Sequence, residues 1–216
     1  MYTKYIRGDE LELYAIGYAG RNKDKTWEHI EELKKIGVPE PKSVPELYHL
    51  NPELLNYSDT VHIIGDETSG EVEIVLIADK DGNIEVTVGS DHTDRGLETI
   101  SIQKSKQICP KPIAKETIKF NEIEDEWDDL ELFSSVKKDG EWKEYQSGKV
   151  SAIVPLDEIV EFLRRHDVEL KDVTVFCGTV PLLDGFVFGD TFKCGLRSNM
   201  LDKTIEIEYE INKLKE

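Results

Sequence analysis

The stretch from Glu71 to Val88 limits this chain more than any other part of it. Glu71 to Ala78 and Ile84 to Val88 are rich in β-branched residues, and Asp79-Lys80-Asp81-Gly82-Asn83 stands between them. Asp-Gly tolerates the positive φ that a tight hairpin turn requires, so the two runs read as neighbouring antiparallel strands. A sheet must then cover at least one face with apolar partners, and the rest of the chain supplies candidates. Lys138-Asp139-Gly140 marks a second hairpin between Leu130 to Val136 and Trp142 to Gln146. Further strands are expected at Leu11 to Tyr18, Val61 to Ile64, Val173 to Phe176, Gly185 to Phe192 and Thr204 to Ile211.

Helices are fewer. Trp27, Ile30 and Leu33 repeat at helical spacing, which predicts a helix from Lys25 to Ile36 stopped by Gly37 and Pro39. A second is expected from Asp94 to Gln103. A third, from Leu156 to Arg165, should turn Ile159, Val160, Phe162 and Leu163 inward. The run Glu40-Pro41-Lys42-Ser43-Val44-Pro45 should be irregular, because proline biases its predecessor away from helix. No repeat or linker divides the chain, so residues 1–216 read as one α+β domain of mixed sheet with a few short helices.

Charge narrows the function. Twenty-seven basic against 45 acidic side chains leave a net charge of −18, which argues against nucleic acid or a lipid surface as partner. No apolar run approaches the roughly 18–20 residues of a membrane span, and Met1-Tyr2-Thr3-Lys4-Tyr5 leads into charged residues rather than an apolar leader. Cys109, Cys177 and Cys194 are too scattered for a disulfide framework or zinc knuckle. The expected setting is the cytoplasm. Nucleotide-binding glycine loops and the Gly-x-Ser-x-Gly of serine hydrolases are absent.

Chemistry could reside in a handful of acidic and basic residues. Strand alternation puts Glu71 and Glu73 on one face, either as two solvated glutamates or as hard oxygen ligands for Mg²⁺, Mn²⁺ or Ca²⁺. In Ser90-Asp91-His92-Thr93-Asp94-Arg95, Asp91 could add a third carboxylate and Arg95 could hold an anionic group. Equally, Asp91 or Thr93 could be a helix N-cap and Arg95 a surface cation. His29 and Glu32 are neighbours three apart on the first helix, either an exposed pair or a water-activating dyad. Lys106 and Thr179 are ordinary taken singly.

Taken in order, these pieces resemble the fumarylacetoacetate hydrolase superfamily. That family carries His-x-x-Glu on an early helix, as in His29-Ile30-Glu31-Glu32, then Glu-x-Glu on a strand, as in Glu71-Val72-Glu73. Its Asn-Asp-x-(Thr/Ser)-Ala-Arg segment is matched in spacing by Ser90 to Arg95. Its lysine before a proline-containing loop is matched by Lys106 with Pro110 and Pro112, and its Gly-Thr-Pro loop and downstream Gly-Asp by Gly178-Thr179 and Gly189-Asp190. The resemblance spans about residues 10 to 212. WEHIEELKKIGVPEPKSVPELY, SGEVEIVL, SDHTDRGLE, SKQICPKP and FCGTV also look like one microbial branch of unknown function. Departures include Lys25-Thr26 where Asn-Tyr is common, Ser90 for Asn, Asp94 for Ala, Glu98 where some members place a substrate-binding Gln, and Val180 after Gly-Thr.

The resemblance implies layered mixed β-sheets, a homodimer, and Mg²⁺ or Mn²⁺ on Glu71, Glu73 and Asp91, with Ca²⁺ as a substitute in crystals. It further implies that His29, oriented by Glu32, activates water, that Lys106 and Arg95 offset substrate charge, and that Thr179 binds its carboxylate. The implied activity is hydrolysis of a C–C bond in a 1,3-dicarbonyl or 2,4-dioxo acid, with a small anionic oxo acid as partner. Decarboxylase, hydratase or tautomerase chemistry on the same metal is the alternative, and a non-catalytic small-molecule binder is a rival of another class.

Overall fold

The computed structural model describes residues 11–215; the N-terminal stretch from Met1 to Tyr5 lies outside them. The main strands in chain order are β1 (Glu12–Gly17), β2 (Glu46–Leu50), β3 (Thr60–Ile63), β4 (Val72–Ala78), β5 (Ile84–Ser90), β6 (Ile118–Lys119), β7 (Glu131–Lys138), β8 (Glu141–Lys149), β9 (Val173–Thr179), β10 (Thr191–Ser198) and β11 (Lys203–Lys213). Four helices accompany them: α1 (Lys23–Lys35), α2 (Arg95–Glu98), α3 (Ile102–Gln107) and α4 (Leu156–Arg165). One sheet has the order β6-β5-β4-β9-β1-β2 and the other β8-β7-β10-β11-β3. Both are mixed, since β1 pairs parallel with β9 and β11 parallel with β3 while their other neighbours run antiparallel.

Both expected hairpins form. In the first, Asp79 Oδ1 accepts from the Asp81 and Asn83 backbone N–H groups (2.8 and 2.9 Å) and Gly82 takes φ +80°. In the second, Asp139 and Gly140 both lie at positive φ, the geometry that matches strand twist. The sheets pack face to face: Val72, Ile74 and Leu76 of β4 join Val175 and Cys177 of β9 in one core with Leu132, Phe192, Leu196 and Tyr209 of the second sheet. The other face of β4 and β9 is also covered, as Val75 and Phe176 pack with Leu13, Tyr48, Val38 and Ile102. A strand buried on both faces reads as a continuous apolar run, which makes Glu73 within VEIVLIA conspicuous.

The structure corrects several expectations. The helix expected over Asp94 to Gln103 is two helices, because Asp94 caps the first through Leu97 N–H and Ser101 starts the second by capping Lys104 N–H. Gly185 to Phe192 is irregular until Thr191, where β10 begins and runs on to Ser198. Val160 is exposed, since α4 packs through Ile159, Phe162 and Leu163. Glu46 to Leu50, not anticipated as a strand, forms the edge strand β2 beside β1. Among the described residues no helix is long and apolar enough to cross a membrane.

Candidate active site

Glu71, Glu73 and Asp91 converge. One oxygen from each lies within 4.8 Å of the others. Glu71 precedes β4, Glu73 stands in it, and Asp91 follows β5, which pairs with β4 so that Glu73 faces Gly89 and Val72 faces Ser90. Hairpin register therefore brings two sequence-distant segments together, and the Asp91 N–H donates to the Glu71 carbonyl (3.0 Å) to close the end. Glu73 and Asp91 are buried and Glu71 half-buried, which excludes the reading of solvated glutamates.

Gly178 holds Glu73 in place. A bulge between Phe176 and Thr179 turns the Gly178 N–H onto Glu73 Oε2 (2.9 Å). The backbone there has φ +117°, and a Cβ would stand 2.9 Å from that of Ala19, so glycine is required twice over. Even so, burial and the nearby Asp91 charge push the Glu73 pKa well above the usual carboxylate range.

Basic residues answer the carboxylates. Lys106 of α3 bonds Asp91 Oδ2 in a buried ion pair. Lys111, fully buried, is ion-paired with Asp91 Oδ1 at 3.0 Å and also donates to the His92 carbonyl (2.5 Å). Burial raises the Asp91 pKa, yet Lys106 and Lys111 outweigh it and the net displacement is downward. Asp91 Oδ1 is buried with the Lys111 ammonium as its ion-pair partner, a contact that lacks good hydrogen-bond geometry. Three carboxylates whose oxygens converge, one of them driven by burial toward protonation, and an all-oxygen donor set fit a hard divalent cation.

Arg95 is neither a surface cation nor a free anion hook. Its Nε donates to Ser69 Oγ (2.8 Å), one terminal nitrogen to both Glu98 oxygens (3.2 and 3.1 Å), and the other stands 3.5 Å from Glu71 Oε2. The Phe186 ring covers the guanidinium at 4.5 Å. Thr179 donates its hydroxyl hydrogen to the Val72 carbonyl (2.6 Å) and accepts from Gln146 Nε2 (2.7 Å). The cap of α2 is Asp94 rather than Asp91 or Thr93, whose hydroxyl bonds the Asp91 carbonyl.

His29 and Glu32 stand apart from this cluster. They lie on the exposed face of α1, 60 % and 72 % accessible, with Nδ1 and Oε2 3.8 Å apart. They share no hydrogen bond or ion pair with Glu71, Glu73 or Asp91.

Sequence reasoning missed Lys111, Gln146 and the polar chain behind Asp91. His92 Nδ1 is 3.0 Å from the Tyr209 hydroxyl and Nε2 is 2.9 Å from Thr68 Oγ1. Burial and the Lys111 and Arg95 charges lower the His92 pKa to about 3, so the ring is neutral. The one local signal for Lys111 was a lysine set between Pro110 and Pro112; Gln146 had none.

Residues 16–209 match the model of a family described as a protein of unknown function (DUF2848). No curated protein matches the sequence. Among solved structures, 2-keto-3-deoxy-D-arabinonate dehydratase complexed with magnesium and 2,5-dioxopentanoate superposes with a TM-score of 0.68 at 15% identity, over 95% of this chain and 74% of that one. Yeast ynq8, a fumarylacetoacetate hydrolase family protein, gives 0.66 at 18% identity over 100% and 99% of the two chains. The 4-oxalocrotonate decarboxylase of Pseudomonas putida G7, complexed with calcium and acetate, gives 0.57 at 11% over 96% and 79%. At these identities the likeness establishes the fold.

Proposed function

The chain belongs to the DUF2848 family, and from that premise we propose a divalent-metal-dependent enzyme that hydrolyses a C–C bond in a small 1,3-dicarbonyl or 2,4-dioxo acid. The observation that carries the reading is the convergence of half-buried Glu71 with buried Glu73 and Asp91, on a fold whose neighbour 2-keto-3-deoxy-D-arabinonate dehydratase is complexed with magnesium and a dioxo acid. Mg²⁺ or Mn²⁺, when bound, would polarise a ligand carbonyl and stabilise enolate charge.

The chain's own residues do the rest. Lys106 and Arg95 offset the negative charge of triad and ligand, Arg95 through its field because its guanidinium is held by Ser69 and Glu98, and Lys106 with ammonium hydrogens left over from its bond to Asp91. Thr179 borders the site and can meet a ligand carboxylate once its hydroxyl leaves the Val72 carbonyl. In this reading His29 is the base that takes a proton from the attacking water at Nε2, with Glu32 as its partner at Nδ1, which requires α1 to bring the pair to the triad from the exposed position it holds here. Water adds to the acyl carbonyl, the C–C bond breaks, and the enolate accepts a proton.

The exposure of His29 and Glu32 favours a second reading. Decarboxylation, dehydration or tautomerisation of a 2-oxo acid needs the cation and enolate stabilisation but no delivered water. The test is a screen of 2,4-dioxo and 2-oxo acids with Mg²⁺ or Mn²⁺, following acyl cleavage and CO₂ release separately. Metal-dependent cleavage of a 2,4-dioxo acid is the expected result. CO₂ release or dehydration alone would select the second reading, and binding without turnover would make the protein a non-catalytic binder.

A further inference from the structure

The charged donors around the triad are each tied to a protein oxygen, and the N–H groups that remain on Lys106 and Lys111 carry full charge. Arg95 is forked onto Glu98 and Ser69, Lys106 is bound to Asp91, Lys111 to the His92 carbonyl, and Thr179 to the Val72 carbonyl. An anionic ligand nevertheless needs a donor for the oxygens that a cation does not hold.

Tyr18 is placed to be that donor. It follows β1 with φ +56°, in the left-handed region that a bulky side chain occupies only when its surroundings enforce it. The next residue, Ala19, lies against Gly178, the glycine whose N–H holds Glu73. The strained turn is therefore built onto the site itself. The Tyr18 ring packs against the cluster that contains Tyr48 and Ile102, and the Tyr48 ring lies 5.6 Å from Lys106 Nζ, the group bonded to Asp91. Its phenol sits in the field of Glu98, Lys106, Glu46 and Glu71, and no hydrogen bond among the described residues engages it. Burial and the acidic neighbours raise its pKa to about 12, which keeps the hydrogen on the oxygen at neutral pH.

We propose that Tyr18 is a ligand-binding residue whose phenol donates a hydrogen bond to an oxygen of the small carboxylate-bearing anion held at Glu71, Glu73 and Asp91. This deepens, and rests on, the reading of the triad as a divalent-metal site for oxo acids. It gives the site a neutral donor among fixed charges, and a neutral donor discriminates by the position of a ligand oxygen rather than by net charge.

The test uses Tyr18→Phe, which keeps the ring and removes the hydrogen-bond donor. Mn²⁺ alone is titrated into the full chain first, then oxalate, a compact anion with adjacent oxygens, at saturating Mn²⁺. Mn²⁺ affinity should stay within about twofold of the parent, while oxalate binding should weaken about tenfold, the effect of one hydrogen bond to a charged acceptor. Equal oxalate affinity in Tyr18→Phe and the parent, with Mn²⁺ binding intact, overturns the role of Tyr18 and leaves the metal reading standing. A parent that binds no Mn²⁺ overturns the metal reading and this inference with it. Tyr18→Asn, which suits the left-handed backbone, is the second variant; the same loss of oxalate binding is expected from it, and unaltered oxalate binding there also refutes the role.

Discussion

Replacing Gln146 by leucine should destabilise the protein severely, and the size follows from its four contacts. Gln146 lies in β8 and is 1 % exposed. Its Oε1 accepts from Val72 N–H (2.9 Å) and the Ser134 hydroxyl (3.0 Å), and its Nε2 donates to Thr179 Oγ1 (2.7 Å) and the Val180 carbonyl (2.7 Å). One side chain thus pins the start of β4 and the end of β9 to the second sheet. In Gln146→Leu the hydroxyls of Ser134 and Thr179 can turn, but Val72 N–H and the Val180 carbonyl cannot. A buried backbone group left without a partner costs about 1–3 kcal/mol; Val72 N–H loses its partner and the Val180 carbonyl keeps only the Thr179 hydroxyl at 3.3 Å, so the pair costs about 2–4 kcal/mol. Greater apolar burial by leucine returns part of this, and a net loss of about 2 kcal/mol is expected. Against a total stability of about 5–15 kcal/mol that is a large fraction. Equilibrium urea unfolding measures it: with m of about 2 kcal/mol/M, the midpoint should fall by about 1 M. Lys143→Ala on the same strand, where an exposed lysine pairs with Asp184, should shift stability by no more than about 0.5 kcal/mol. If Gln146→Leu and Lys143→Ala unfold at the same urea concentration with the same m, the contact-based reasoning is wrong.

Other substitutions probe the site and the scaffold. His29→Ala should keep fold and Mn²⁺ binding while hydrolysis falls at least about tenfold, the low edge of general-base help; any decarboxylation should fall much less, and equal losses in both reactions would remove His29 as the base. Cys177→Ser should retain most turnover, because burial and Glu73 push the thiol pKa far above neutrality and exclude a thiolate nucleophile; a folded but inactive variant would contradict this. Asp79→Ala should destabilise the first hairpin at pH 7. Asn83 holds the Asp79 pKa below its ordinary value, so the contribution is present above the unfolded pKa and fades as pH falls through the lower folded one. Parent and variant should therefore differ less in urea midpoint at pH 3 than at pH 7, and an undiminished gap would refute the assignment.

Features whose chemistry is local were legible in the sequence. Asp79 to Asn83 and Lys138 to Gly140 carry their own turn signals, and α4 has the predicted bounds because its apolar spacing is strong. The period of a strand was enough to pair Glu71 with Glu73, and the family pattern added Asp91. What escaped depends on distant partners. The edge strand Glu46–Leu50 follows a proline-rich run and takes its conformation from pairing with β1. Gly185 to Phe192 has strand-like residues, but Phe186 is drawn over Arg95 and Gly189 closes on the Lys137 carbonyl, where a Cβ would sit at 2.4 Å. Arg95 looked like an anion hook until Glu98, three residues on, was seen to occupy it. Gln146 bonds a residue 74 positions away, and the φ of Tyr18 leaves no trace in composition or period.

Calorimetric titration of Mn²⁺ into the parent and into Glu73→Ala tests the central claim most directly. Glu73 is the buried carboxylate fixed by Gly178 that we propose as a metal ligand, and its carboxyl makes no other hydrogen bond among the described residues. The parent should bind a single Mn²⁺ per chain, and Glu73→Ala, still folded by circular dichroism, should bind it far more weakly. A parent without a divalent site, or a Glu73→Ala protein that binds Mn²⁺ as tightly as the parent, would contradict the account.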